Sequence, residues 1–277
     1  MTAAAEKLLK LRETIRSYGS CLIAYSGGVD SVFLARVAHD VLGDKSLAVI
    51  ADSPSLPRRE LAEALELGER FHFPVRVIKT GEFNNPEYLA NPLNRCYFCK
   101  YELFEDLVPL AKAENFAVIC YGENASDIGD FRPGAKAAAE HAVRAPLKEA
   151  GLTKAEIRKL SAQLGLPTAD KPQMACLSSR IPTGESVTPE KLRMIEEAEY
   201  VLRDLGFYDV RVRHHQLNSA ESHARIEVGP TEVKRLTEDG LQMQVTEALK
   251  QLGYSAVTVD LNGYKRGGVN PVAILKG

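Results

Sequence analysis

Short unbroken apolar runs alternate along the chain with longer stretches of helical spacing. Leu8, Leu9, Leu11 and Ile15 recur at helical intervals between Lys and Glu over 4–17, and Cys21-Leu22-Ile23-Ala24-Tyr25, bounded by Gly19 and Gly27, has the pattern of a buried strand. Val32, Leu34, Ala35 and Val37 predict a helix over 31–42 that stops at Gly43, and 47–51 repeats the buried-strand pattern. Pro57 opens a helix over 57–70. A strand over 75–78, a helix over 97–112 and a buried strand over 116–120 continue the alternation, which predicts an α/β fold built on a doubly wound parallel sheet. Residues 142–146 suggest a fifth strand and 154–164 a further helix, whereas 84–94 and 165–188, rich in Asn, Pro and Gly, look like loops.

The rhythm then changes. A long amphipathic helix over 189–205, strands over 209–213 and 223–228, helical pattern over 231–252 and a strand over 256–261 predict a smaller α+β domain. The expected division is 1–184 and 185–277, and two domains suit 277 residues. Composition agrees with folded protein: 45% hydrophobic, 26% charged. Lys and Arg number 35 against 37 acidic residues, so nothing in the global charge of −2 points to nucleic acid. Apolar runs of about five residues fall far short of the ~20 that cross a bilayer, and the charged first twenty residues lack a secretory h-region. The expectation is a cytoplasmic chain with reduced cysteines.

The most informative segment is Ser26-Gly27-Gly28-Val29-Asp30-Ser31, between the first buried strand and the next helix. A parallel sheet presents ligands at that junction, where glycine amides, the helix N-terminus and the hydroxyls of Ser26 and Ser31 converge on an anion. A plain glycine turn is the alternative. The segment lacks the lysine of a Walker loop and has no GxGxxG. It resembles the SGGxDS loop of the N-type ATP pyrophosphatases, the PP-loop enzymes, at every fixed position. The resemblance implies that Ser26, Gly27, Gly28, Asp30 and Ser31 hold the pyrophosphate of ATP, with attack on the α-phosphate. It also implies that Ala51 and Ser53 edge the adenine, and that Gly122-Glu123-Asn124-Ala125-Ser126-Asp127 lines the nucleotide pocket. Acidic groups beside a triphosphate need a divalent cation between them, which makes Asp30, Glu123 and Asp127 candidates for Mg²⁺; Asp127 as an ordinary helix cap is the competing reading.

Three of the five cysteines remain. Cys96 and Cys99 form a C-x-x-C expected in a loop, and Cys176 stands in Ala175-Cys176-Leu177-Ser178-Ser179-Arg180. No fourth ligand for structural zinc is evident. Three thiolates suit a [4Fe–4S] cluster with one open iron, while a redox pair or an unligated donor thiol are the alternatives. Cys21 and Cys120 lie in apolar strands and count as core. Arg211 and Arg213 alternate on a strand and share a face suited to a phosphate.

Together the PP-loop, Arg132-Pro133-Gly134, the stretch from Ala175 to Gly184 and Val210-Arg211-Val212-Arg213 resemble the LarE family of ATP-dependent sulfur transferases over nearly the whole chain. That resemblance implies adenylation of a carboxylate of pyridinium-3,5-biscarboxylic acid mononucleotide and its conversion to a thiocarboxylate. It implies sulfur from a cluster on Cys96, Cys99 and Cys176, or from Cys176 itself in the sacrificial type, whose members lack the C-x-x-C. Ser179, Arg180, Arg211 and Arg213 are then expected on the substrate phosphate, Arg132 near the ATP phosphates, and Glu199 and Glu227 on a divalent cation; a solvated basic strand and ordinary surface carboxylates are the alternatives for Arg211 and Arg213 and for the two glutamates. A homo-oligomer, a hexamer by resemblance, and a sulfide-supplying partner also follow from it. A PP-loop tRNA thiolase, a nucleotide-binding redox sensor and an amide-forming ligase are the competing functions.

Overall fold

The computed structural model describes residues 2–127, 133–172, 175–218, 221–238 and 240–265. The elements run α1 (Ala3–Tyr18), β1 (Cys21–Tyr25), α2 (Val29–Leu42), β2 (Ser46–Ala51), α3 (Arg58–Arg70), β3 (Val75–Ile78), α4 (Pro86–Leu89), α5 (Arg95–Ala113) and β4 (Val118–Tyr121). There follow α6 (Pro133–Glu140), α7 (Pro146–Glu149), α8 (Lys154–Gln163), α9 (Pro189–Asp204), β5 (Val210–Gln216), β6 (Ser222–Val228), α10 (Val233–Leu236), α11 (Leu241–Gln251) and β7 (Ala256–Val259). The chain separates into two compact units, one of residues 1–85 and 94–174, the other of 86–93 and 175–277. The second unit therefore includes segments that the sequence assigned to the first. Backbone bonds explain this: Gly184 donates to the Asn91 carbonyl and Val187 to that of Leu89, at 2.9 Å each.

In the N-terminal unit four parallel strands lie in the order β3-β2-β1-β4. Both faces of the sheet are covered, which is why its strands are continuous apolar runs. Cys21, Ile23 and Tyr25 of β1 join a core with Ala48 and Ile50 of β2 and with residues of α1, α2, α3 and α8. The intervening Leu22 and Ala24 join Leu47, Val49 and residues of α5 and α6 on the other face. The expected fifth strand shrinks to a single bridge between Cys120 and Arg144. Ala142 takes a positive φ of 54°, and Pro146, which has no N–H to donate, already begins α7. Among the described residues no helix is long and apolar enough to cross a membrane.

The C-terminal unit holds β5-β6-β7, with β5 and β6 antiparallel and β6 and β7 parallel. Val210, Val212, Ala224, Ile226 and Val228 face Ala198 and Leu202 of α9 and Val245 and Leu249 of α11. Period-two alternation puts Arg211, Arg213, Arg225 and Glu227 on the opposite face. The helical pattern over 231–252 divides into α10 and α11.

Helix α8 begins with a reciprocal cap. The Glu156 amide donates to Thr153 Oγ1 at 3.3 Å, and the Thr153 amide to Glu156 Oε2 at 2.9 Å. Thr153→Ala should cost about 1 kcal/mol. At about 2–4 °C per kcal/mol for a domain of this size, the melting temperature of the N-terminal unit should fall by a few degrees. An unchanged calorimetric midpoint would show that the cap is idle.

Candidate active site

Strand order reverses between β1 and β4, the switch point at which a parallel sheet opens a crevice beyond its carboxyl ends. Ser26–Ser31 leaves β1 there, and Gly122–Asp127 leaves β4. Gly27 has φ +68°, and a Cβ on it would lie 2.8 Å from Ala64 Cβ of α3, so the loop needs glycine twice over. Gly28 caps α2. Ser31 Oγ accepts from the Ser26 amide at 3.2 Å, lies 3.1 Å from Ser26 Oγ and donates to the Gly28 carbonyl at 3.1 Å. A Cβ on Gly122 would come within 3.1 Å of the Ser31 amide, so the two loops touch. Four of the expected nucleotide residues, Ser26, Ser31, Asp30 and Gly122, are thereby brought together.

Two of the three expected acidic residues, Asp30 and Glu123, carry cationic partners. Lys154, from the first turn of α8, reaches Asp30 Oδ2 at 2.7 Å, and Lys148 reaches Glu123 Oε1 at 2.9 Å. Asp127 Oδ2 accepts from the Asn124 amide at 3.1 Å, bracing its own turn. At the end of β2, Ser53 is buried and its hydroxyl lies 2.8 Å from that of Ser55, while Ala51 is half-buried. Hydrogen bonds from Lys79 and then Arg58 hold the neighbouring Asp52 carboxyl below its ordinary pKa. Arg132 lies outside the described residues.

In the C-terminal unit Arg180, Arg211, Arg213, Glu199 and Glu227 are all buried, and the two glutamates are not surface carboxylates. Arg180 grips Glu199 with two bonds, Nε to Oε1 at 2.8 Å and Nη2 to Oε2 at 3.0 Å, and the Val212 amide adds a third at 3.1 Å. Glu227 accepts from Arg213 at 2.7 Å and from Arg225 at 3.0 Å. Both carboxylates are thus engaged by guanidinium groups, a donor set that does not fit the divalent cation expected there. Arg211 stacks 4.7 Å from the centroid of Tyr264, and burial followed by the charge of Arg180 depresses its pKa.

These two constellations can be set beside known proteins. No family model matches the chain. The uncharacterised protein slr1717 of Synechocystis is 44% identical over 266 residues, 96% of this chain and 97% of that protein. A pyridinium-3,5-bisthiocarboxylic acid mononucleotide synthase of Lactiplantibacillus plantarum is 31% identical over 271 residues, 98% of this chain and 96% of that enzyme. The chain belongs to this synthase family, LarE. A glutamine-hydrolysing GMP synthase of Brucella melitensis is 27% identical over 224 residues, 69% of this chain and 42% of that protein. The parallel sheet and its first loop are those of a PP-loop fold, and this LarE-family chain is an enzyme.

Within this LarE-family chain the cysteines fall differently from the sequence expectation. Cys96 and Cys99 lie not in a loop but in the opening turns of α5, where positions three apart share a face. Cys96 is exposed and Cys99 half-buried; Cys176, half-buried, precedes a 3₁₀ turn over Leu177–Arg180 in the other unit. Among the described residues no three metal-ligating side chains form a metal-holding group. Lys100 follows Cys99, and burial lowers the pKa of its ammonium, an effect that the neighbouring Cys99 and Cys96 only partly oppose.

Sequence reasoning missed Lys148, Lys154, Arg225 and Tyr264. The one available signal was the requirement that clustered carboxylates find cations, which names no partner. It also missed His214, buried on β5 with Nδ1 3.3 Å from Tyr254 Oη and Nε2 unpartnered among the described residues. Burial, with Lys191 and His215 adding positive charge, pushes its pKa down from 6.5 to about 4. The unfolded chain therefore binds the extra proton first. His214 stability is fully present above pH 6.5 and is lost as pH falls towards 4. His214→Phe should remove that part of the acid loss, so parallel denaturation curves for wild type and variant over this window would contradict the burial argument.

Proposed function

We propose that the chain is an ATP-dependent sulfur transferase that turns a carboxylate of pyridinium-3,5-biscarboxylic acid mononucleotide into a thiocarboxylate. Supporting this reading is an excess of buried positive charge in the C-terminal unit. Among the described residues Arg180, Arg211, Arg213 and the half-buried Arg225 stand against Glu199 and Glu227, leaving two positive charges, the complement of a phosphate dianion. Retaining that excess costs free energy unless an anion arrives to neutralise it. Arg213 Nε, buried and unpartnered among the described residues, is an unused donor for such an anion, with Arg211 on the same face. A nucleotide substrate held there by its phosphate accounts for residues that ATP binding alone does not require.

In the N-terminal unit the loop amides, Ser26 and Ser31 bind the β- and γ-phosphates of ATP, and α2 directs its positive end at them. Asp30 and Asp127 supply the carboxylate oxygens that suit Mg²⁺, which neutralises triphosphate charge when bound. Lys154 and Lys148 balance the acidic groups without it. A substrate carboxylate oxygen attacks the α-phosphorus, forming a P–O bond as the bond to pyrophosphate breaks. Sulfur then attacks the acyl carbon and the bond to AMP breaks. Adenylation is needed because a carboxylate oxygen is otherwise a poor leaving group.

For the sulfur we propose a [4Fe–4S] cluster held by Cys96, Cys99 and Cys176, three soft thiolate donors of the kind that iron–sulfur centres take. Such a cluster supplies a sulfide as the nucleophile. The pair on one face of α5 supports a cluster over a donor that consumes Cys176 alone.

ATP and the biscarboxylate nucleotide together should release pyrophosphate and AMP in equal amounts. Arg213→Lys, which loses the fork, should raise the nucleotide KM about 10- to 100-fold, one charge-assisted bond. Pyrophosphate release that ignores the nucleotide would overturn the substrate assignment. Anaerobic reconstitution should give about four irons per chain, lost in Cys176→Ala. An iron-free protein that loses the elements of H₂S at Cys176 during turnover would replace the cluster by a sacrificial donor.

A further inference from the structure

A guanidinium group has five N–H donors in a fixed fork. Arg180, with 0% of its surface exposed, has all three of its nitrogens engaged inside the fold. Besides the two bonds to Glu199, Nη1 donates to the Ala175 carbonyl at 2.6 Å and the Cys176 carbonyl at 2.9 Å, and lies 3.1 Å from Ser179 Oγ. A phosphate would have to displace Glu199 or tear the cysteine loop from its anchor. Arg213 differs, since its buried Nε still lacks a partner among the described residues.

We propose that Arg180 is a positioning residue for Cys176 rather than a substrate ligand. The restraint runs from β5 to the thiol through named bonds. The Val212 amide fixes Glu199, Glu199 fixes the plane of Arg180, and Arg180 holds the Cys176 carbonyl, which also accepts from the Ser179 amide at 3.0 Å. Two further contacts close the loop behind the cysteine. Arg213 Nη1 donates to the Ser179 carbonyl at 3.0 Å, and the Ser178 hydroxyl lies 2.8 Å from Tyr88 Oη of α4. Leu177 and Ser178 are buried while Cys176 stays partly accessible. The backbone is therefore clamped on both sides of a side chain that stays partly accessible. That arrangement suits a group whose sulfur must meet an acyl carbon at bonding distance, where about 1 Å of misplacement costs about 100-fold in rate.

Only the kinetic half of the test rests on the sulfur-transfer reading. Three full-length proteins are compared: wild type, Arg180→Lys, and the double variant Arg180→Met with Glu199→Leu. The double variant replaces a buried ion pair by apolar side chains, a change that is often neutral for stability, whereas removing one partner is not. The first readout is the rate at which iodoacetamide labels Cys176 in iron-free protein, followed by peptide mass spectrometry beside the melting temperature. The second is kcat and KM for the biscarboxylate nucleotide. Both variants should melt near wild type, label Cys176 at a rate changed several-fold, lose about 100-fold in kcat and keep the nucleotide KM within about twofold. Unchanged labelling with unchanged kcat overturns the proposal. So does a raised KM with kcat retained, which would make Arg180 a substrate ligand. Should the double variant not fold, Arg180→Lys, which keeps the buried charge matched, carries the comparison alone with the same outcomes. If wild type transfers no sulfur at all, the functional reading fails, while the labelling comparison still decides the role of Arg180.

Discussion

A buried guanidinium is costly unless a carboxylate or a bound anion matches it, and the C-terminal unit is organised around that cost. Stranding Arg180 or Glu199 alone in the interior would cost several kcal/mol, so the two are locked in a bidentate pair that also takes up the Val212 amide. The pair ties α9, β5 and the segment carrying Cys176 into one rigid patch. Glu227 does the same between neighbouring strands by serving Arg213 and Arg225. Once both carboxylates are spent, arginines remain in excess, and the proposed substrate site rests on that surplus of positive charge.

The N-terminal unit solves the same problem with lysines. A PP-loop that contains Asp30 and touches Gly122, next to Glu123, carries negative charge at the proposed ATP site. Lys154 and Lys148, supplied by α8 and α7, offset it. The loop has no lysine of its own, and one arrives from 124 positions away. The capping box at Thr153 and Glu156 has a role beyond helix stability, because it sets the first turn from which Lys154 extends. The two units thus share an electrostatic logic, in which acidic groups are present but already neutralised, although their folds are unrelated.

Much of the fold was legible along the chain because its signals are local. Apolar runs marked β1, β2 and β4, helical spacing marked α1, α2 and α3, and the Ser–Gly–Gly–Val–Asp–Ser loop announced its place between β1 and α2. Errors arose where distant contacts overrode local pattern. Residues 142–146 look extended but have room for only one bridge before Pro146 starts a helix. The C-x-x-C, in a stretch of Asn and Pro, proved to be the start of a 19-residue helix. Residues 86–93 were drawn into the C-terminal unit by backbone bonds across about a hundred positions.

What the sequence determined by itself was the class of fold and the PP-loop between β1 and α2, since periodicity and glycine placement are written in neighbouring positions. What only the tertiary structure decided was which charges meet. Arg180, Arg211 and Arg213 are the same residue type in similar surroundings, and no pattern along the chain separates them. Folding gave Arg180 a carboxylate and two carbonyls and left Arg213 with a donor to spare. Coulomb energy depends on distance in space, and the partners that set it lie tens of residues apart.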